Sequence, residues 1–431
     1  MIINKKYILG FAFLLLLALN VNAQSTTNSP YSKFGIGNLK GSYLPQFRAI
    51  GNLAYGISTI GGYQNINVSN PASYSQIRLT VFDVGASANL QSLNKGSLSE
   101  RGFNSSLSHL TFAVPITKKS GLSIGLLPYS NLGYEFTNTT TVDTFKVNQV
   151  YSGEGGLSKA YLGYGIGIGK HLSLGVNMSY IFGNLKESRS TEFNQYYFGF
   201  LNSRTTENNS VGGLYFDLGA QYIAFINKKT RLTIGYTGGA EKKLNSTINS
   251  LSTRYQVNTQ NDTELTADTT LFKNDVSGKL ILPTNHNFGF SIERLNKWLI
   301  GADVRLANWS QFRNSGVNPN LNNTFGFSVG GQITPNINAV TNYLKLIDYR
   351  AGFSYDKTYL NINNTDIDVK SLNFGLGFPL ISARSAFYKI NFTTELGKRG
   401  TLENNLVKEN FVNFHLGFTI NDRWFQKYKY D

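Results

Sequence analysis

From Leu157 to Phe182 the chain changes solvent preference at almost every residue. Leu172, Leu174, Val176, Met178, Tyr180 and Phe182 are apolar, while Ser173, Gly175, Asn177, Ser179 and Gly183 are small or polar, which describes a strand with two unlike faces. The preceding stretch repeats the pattern, with Ala160, Leu162, Tyr164, Ile166 and Ile168 opposite Lys159, Tyr161, Gly163, Gly165 and Gly167. Only Gly169-Lys170-His171 joins the two, so a tight hairpin is the natural connection. A soluble sandwich also alternates in this way. Repetition separates the two: comparable segments recur along most of the chain with turn residues between them, the cumulative signature of a transmembrane β-barrel.

Alternation places strands near 79–91, 104–116, 121–136, 156–169, 171–187, 211–226, 229–245, 280–294, 297–313, 323–333, 347–357, 369–379, 386–397 and 409–420. This predicts an all-β antiparallel barrel of about fourteen strands. Short turns at Lys118–Ser120, Lys170, Asn227-Lys228, Leu295-Asn296 and Ile381–Arg384 interleave with longer polar segments, Ser188–Ser210 and Ser246–Ser277 among them. Outer-membrane barrels keep short turns in the periplasm and long loops outside, and an even strand number returns both ends of the barrel to the periplasm. Pro335–Ile347 is a longer connection on the periplasmic side, with a helical turn expected around Val340–Leu346.

The start of the chain carries Lys5-Lys6, an apolar run from Tyr7 to Leu19 and the small-residue sequence Val21-Asn22-Ala23. That run is too short to span a bilayer as a helix, so residues 1–23 are expected to be a secretory signal. Gln24 stands where a lipoprotein would need cysteine, and the chain has no cysteine for disulfides or thiolate metal sites. Aromatics reach 13% although the average residue is slightly polar. A barrel reconciles the two, with a polar lumen inside and aromatic girdles at the lipid interfaces. The net charge of +15 raises nucleic acid as a partner. The basic residues form no single patch, which excludes it; they sit in turns such as Lys118-Lys119, Lys170, Lys228-Lys229, Lys297 and Arg384. Such turn tips suit anionic headgroups, so outer-membrane lipid and lipopolysaccharide of a Gram-negative cell are the expected surroundings.

Residues 24–78 precede the barrel and do not alternate. Their scattered anchors Phe34, Ile36, Leu44, Phe47, Ile50, Leu53 and Tyr55 favour a hatch or plug packed in the lumen. The barrel is expected over 79–425, ending on Phe411, Phe414, Leu416, Phe418 and Trp424-Phe425, with a basic tail at 426–431.

Three stretches resemble the outer-membrane long-chain fatty-acid transporter family, the FadL/TodX-type barrels. Arg48-Ala49-Ile50-Gly51 with Ala54-Tyr55, then Asn70-Pro71-Ala72, are similar to its N-terminal hatch and Asn-Pro-Ala motif. Leu282-Pro283, Asn287–Glu293, Trp298, Ala302-Asp303 and Trp309-Ser310-x-Phe312 resemble its paired strands, and Tyr349–Asp356 its Arg-Ala-Gly-Tyr strand. The chain departs from the pattern at Ser73, where a glycine usually follows, and at Gly61-Gly62-Tyr63-Gln64, which replaces an acidic pair. The resemblance implies the fold. For function it implies a passive conduit for small hydrophobic molecules, or, as in some branches, a non-transporting subunit that docks other outer-membrane proteins or lipoproteins in a secretion or assembly complex.

Pro128, with Gly133 five residues on, interrupts the third strand, because proline removes a ladder donor. The resemblance implies a kink there that opens sideways to the membrane; the residues alone allow equally that Pro128 marks the outer rim. Asn70-Pro71-Ala72 is a turn, since proline drives the preceding residue out of the helical region. The inward positions Asp83, Asp217, Asp303 and Arg305 are expected to hold the hatch or the polar interior. The row Gly163, Gly165, Gly167, Gly169 lies along a strand face, so it leaves room for a close approach and is no phosphate loop. His109, His171, His286 and His415 show no metal-ligand spacing, and Ser108 and His109 point to opposite faces, so no catalytic group, metal or cofactor is expected. His109 and His415 share the lumen parity of strands two apart and are expected to share a polar cluster.

Overall fold

The computed structural model describes residues 29–61, 63–193, 200–258, 263–380 and 386–424. The expected signal segment, Gly62, the Ile381–Arg384 turn and the basic tail lie outside the described residues. The chain forms a closed antiparallel barrel of 14 strands. They are β1 (Thr80–Lys95), β2 (Leu98–Thr117), β3 (Ser120–Val142), β4 (Phe145–Ile168), β5 (Leu172–Phe193) and β6 (Asn202–Phe225), then β7 (Thr230–Gly239 continued as Lys242–Asn258) and β8 (Thr263–Leu282 continued as Asn285–Arg294). The circuit ends with β9 (Trp298–Ala307), β10 (Thr324–Ile333), β11 (Asp348–Ile362), β12 (Thr365–Leu380), β13 (Phe387–Arg399) and β14 (Lys408–Asp422), which closes on β1 with Asp422 opposite Thr80.

The two-residue rhythm is the inside–outside rule of this barrel. Leu174 and Met178 are each 40% exposed on the outer face, while Ser173 is 2% and Ser179 1% exposed inside. Outward apolar rows of this kind have hydrocarbon as their natural solvent. Asn342 caps a short helical turn at Tyr343–Lys345 in the long Pro335–Ile347 connection, where one is expected.

The outer ends depart from expectation. Ser188–Ser210 and Ser246–Ser277 read as polar loops, yet most of both is ladder: β5 runs on to Phe193 and β6 begins at Asn202, with Asn202 paired to Tyr255. Above the hydrocarbon a strand needs no apolar face, so the rhythm disappears while backbone pairing persists. Ser, Thr and Asn then pair across strands, as Thr205 Oγ1 and Ser252 Oγ do at 2.9 Å. β3 to β6 are 23, 24, 22 and 24 residues long, against 10 each for β9 and β10, so one side of the barrel stands much taller than the other.

Two apolar clusters occupy the lumen. The outer one joins Tyr31 and Ile36 to Leu132, Tyr134 and Ile181 of the tall wall and to Trp309, Phe312 and Tyr359 of the short one. The inner one gathers Leu44, Phe47, Ile50, Leu53, Ile57, Ile60 and Tyr74 of the N-terminal segment.

Candidate functional site

The N-terminal segment is joined to the inner wall mainly through its own backbone. Asp303 Oδ2 on β9 accepts from the amides of Ala54 at 2.7 Å and Tyr55 at 3.1 Å. Gln221 Nε2 on β6 donates to the carbonyls of Tyr55 and Ile57, each at 3.0 Å. Asn373 Nδ2 reaches Arg48 O at 2.7 Å, Thr393 Oγ1 reaches Pro45 O at 2.7 Å, and Ser291 Oγ reaches Gly56 O at 2.6 Å. A loop without regular structure can be buried only if its polar groups find such partners.

Glycine makes that closeness possible. Gly51 has φ +80°, and a side chain there would run into the backbone of Phe353 on β11 and Val329 on β10. Opposite it, Pro71 and Ala72 lie against Gly165 and Gly175, and Asn70 and Pro71 against Gly219. Asn70 Oδ1 accepts from Ala72 N at 3.1 Å and caps the turn Pro71–Gln76, while its Nδ2 donates to Tyr55 O at 2.7 Å. The two short motifs thus seat on opposite walls. Of the glycine row, Gly163 and Gly165 meet Tyr74, Gly167 faces Lys119, and Gly169 forms the turn.

The other site residues divide by depth. Asp83 accepts from Thr419 Oγ1 at 2.7 Å, meets His109 Nε2 at 2.7 Å and reaches Gln46 Nε2 at 3.4 Å. His415 instead faces Glu395, at 3.6 Å, so the histidines do not form the single cluster expected of them. The cause is that β1 runs between their strands, and its Asp83 takes His109 for itself. Asp217 pairs with Lys242 at 3.3 Å and Arg305 with Asp356 at 2.9 Å. Arg48 donates to the carbonyls of Tyr43 and Gly41, each at 3.0 Å.

The wall itself is split. The β2–β3 ladder runs from Thr117 opposite Ser120 up to Leu110 opposite Leu126 and stops there. Beyond that point β2 stays paired to β1 and β3 to β4. Each strand carries a bulge at the fork, at Ser108 on β2 and at Tyr129, next to Pro128, on β3. An extra residue bends a strand and raises its twist, which steers the two edges apart. The freed edge of β3 is taken by the N-terminal segment. Asn38 pairs with Asn131 and Leu39 with Ser130; Lys40 N donates to Tyr129 O and Ser29 N to Gly133 O, each at 2.9 Å. Gly133 N donates to Ser32 Oγ at 3.1 Å, so Gly133 is a docking point and the irregularity belongs to Pro128–Ser130.

A cavity of about 570 Å³ lies inside the split, lined by Ser106 and Ser108 of β2, by Leu127 to Tyr129 of β3, and by Lys40 to Tyr43. Lys40 and Lys159 line it too, and sequence reasoning passed over both. Lys159 stood in plain view as an inward position of β4, but nothing in the sequence tells which inward charges end up outside an ion pair. Among the described residues no cluster of His, Asp and Glu could hold a metal ion.

No curated protein matches the chain. The model of the BamG family matches residues 1–431. The chain belongs to the BamG family. Three solved barrels resemble it: a Pseudomonas aeruginosa FadL homologue at 12% identity and TM-score 0.58, the Ralstonia pickettii toluene transporter TbuX at 13% and 0.56, and the Pseudomonas putida toluene transporter TodX at 13% and 0.55. Each comparison covers 90% of this chain and 100% of the other. At such identities the likeness is one of fold, and this BamG-family chain has the FadL-type fold of an outer-membrane barrel.

Proposed function

We propose that this BamG-family barrel is a non-transporting subunit that scaffolds an outer-membrane protein-assembly complex in a Gram-negative cell. The observation that carries the reading is a lumen occupied at two levels, with backbone-to-wall bonding through the inner one. An N-terminal segment held by Asp303, Gln221, Asn373 and Thr393 would have to break several buried hydrogen bonds together in order to move. The tall wall adds support. The outer part of β8 pairs with β7 on one side, while on the other the pairing among the described residues is confined to its lower end, where Leu280 and Ile281 pair with Asn314 and Arg313 and Lys279 O accepts from Ser315 N at 2.8 Å. Leu265 and Phe272 are exposed on it, at 57% and 70%, as surface for a protein partner outside the membrane. The family the full chain matches is also not the one that names the channels sharing its fold.

A second reading, passive uptake of small hydrophobic molecules with lateral release, is favoured by the β2–β3 split and by a fold shared with hydrocarbon channels. One pair of measurements separates them. Gentle purification from the native membrane is expected to bring down other outer-membrane proteins or lipoproteins, and removing residues 250–272 from the tall wall to release them while the barrel stays folded. Uptake of a hydrophobic fluorescent probe should be equal with and without the protein, and unaffected by Pro128→Val. Probe uptake that falls in the strain lacking the protein, with nothing co-purifying, would make it a conduit.

A further inference from the structure

Three cations meet on one short loop just inside the split. Lys40 belongs to the loop, Arg48 donates to Gly41 O and Tyr43 O, and Lys159 Nζ donates to Ser42 Oγ at 2.6 Å. All three line the cavity. Among the described residues none of them has a carboxylate within ion-pair distance. Of the carboxylates lining the cavity, Asp217 faces Lys242 at 3.3 Å, Asp356 faces Arg305 at 2.9 Å and Glu409 faces Arg399 at 3.7 Å, while Glu395 accepts from Asn413 Nδ2 at 3.2 Å. Lys159 is 5% exposed, so water screens it little. The cavity lining carries seven Lys and Arg side chains against the four carboxylates Asp217, Asp356, Glu395 and Glu409, and that surplus of positive charge favours an anion beside the loop.

The route to this site runs through the wall. Leu107 and Phe103 on β2, 54% and 57% exposed, continue the outward apolar row of Ile116 and Leu110 past the point where the ladder ends. The lower part of the split therefore lies at the level of hydrocarbon, and the charged Glu100 and Arg101 mark its upper end. The outer apolar cluster borders the cavity, and Tyr31, Trp309 and Tyr359 belong to both. A ligand that reaches these cations from the membrane plane is itself part of the membrane.

We propose that the cavity binds the phosphate headgroup of an anionic membrane lipid, which comes in sideways between β2 and β3 and leaves its acyl chains in the bilayer. The volume lies within the range of small-ligand pockets, roughly 300–1,000 Å³. A phosphodiester offers oxygens to an Arg fork and to Lys point charges at once. The polar lining at Ser106, Ser108 and Asn131 suits a headgroup better than an alkyl chain. The proposal holds whether the barrel scaffolds or transports.

The test uses the full protein in detergent micelles, with native mass spectrometry against dioleoyl phosphatidylglycerol, dioleoyl phosphatidylcholine and inorganic phosphate. Phosphatidylglycerol is expected to bind at least about tenfold more tightly than phosphatidylcholine, and K40Q/K159Q to remove that preference. K118Q/K119Q, in a periplasmic turn, should keep it, and heat-modifiable gel mobility checks that each barrel is folded. Should K40Q/K159Q not fold, Ser106→Trp narrows the split away from the cations and is expected to abolish lipid binding. Undiminished phosphatidylglycerol preference in the folded double variant, or in Ser106→Trp, overturns the proposal. Inorganic phosphate that displaces phosphatidylglycerol at equal concentration also overturns it, since the site would then serve a free anion.

Discussion

The inner lumen and the cavity above it are both walled by the inward residues of the same strands, yet they are built from opposite materials. Below, Gly165, Gly175, Gly235 and Gly352 bring wall backbone against segment backbone, and amides, hydroxyls, the carboxylates of Asp303 and Asp83 and the guanidinium of Arg231 complete the bonding. Above, the same strands line the cavity with Lys159, Asp217, Arg305 and Asp356. Small residues allow close contact, whereas long side chains hold two surfaces apart. The position along a strand, and not the strand itself, decides whether the barrel grips or leaves room.

The largest effect expected from this contrast is at Gly51. Valine there must adopt a left-handed backbone and also displace the backbone of Phe353, a combined cost of about 3–5 kcal/mol. Urea unfolding in micelles, followed by tryptophan fluorescence, measures it; a loss below about 1 kcal/mol would mean that the inner contact is loose. Next comes Asp303→Ala, which strands the buried amides of Ala54 and Tyr55 at about 2–3 kcal/mol. Hydrogen exchange at those two amides should speed up roughly 100-fold. The smallest effect is that of Arg305→Ala in the cavity. Its partner Asp356 is 39% exposed, so the loss should be about 1 kcal/mol or less. If Arg305→Ala cost as much as Asp303→Ala, the cavity would be as dry as the lumen beneath it, and the contrast would fail.

Much of the wall was legible because lipid imposes a rule on every strand. Leu174 and Ser173 declare their faces by chemistry alone, and each strand read by alternation reappears in the ladder. Asp83, Asp303 and Arg305 were legible as inward residues for the same reason. Legibility ended where the rule lapsed. Thr205 and Ser252 pair through hydroxyls in the tall outer wall, and hydroxyl pairing leaves no apolar rhythm in the sequence. Pro128 marked the irregular strand, since a missing N–H is a local fact. The matching bulge at Ser108 had no such mark, and the fork needs both.

The sequence by itself determined the barrel, its strand order and which side chains face inward, because alternation is a local property and hairpin connections leave neighbours little choice. Only the tertiary structure decided which inward residues meet. Asp303 accepts from Ala54, 249 positions away along the chain, and Lys159 shares a loop with Arg48 because closure of the barrel and the fall of the N-terminal segment put them there. Contacts across the lumen depend on the course of a segment without periodicity, whose position is set by the sum of many small fits between its backbone and the glycines of the wall. A sum of that kind exists only once the wall is closed.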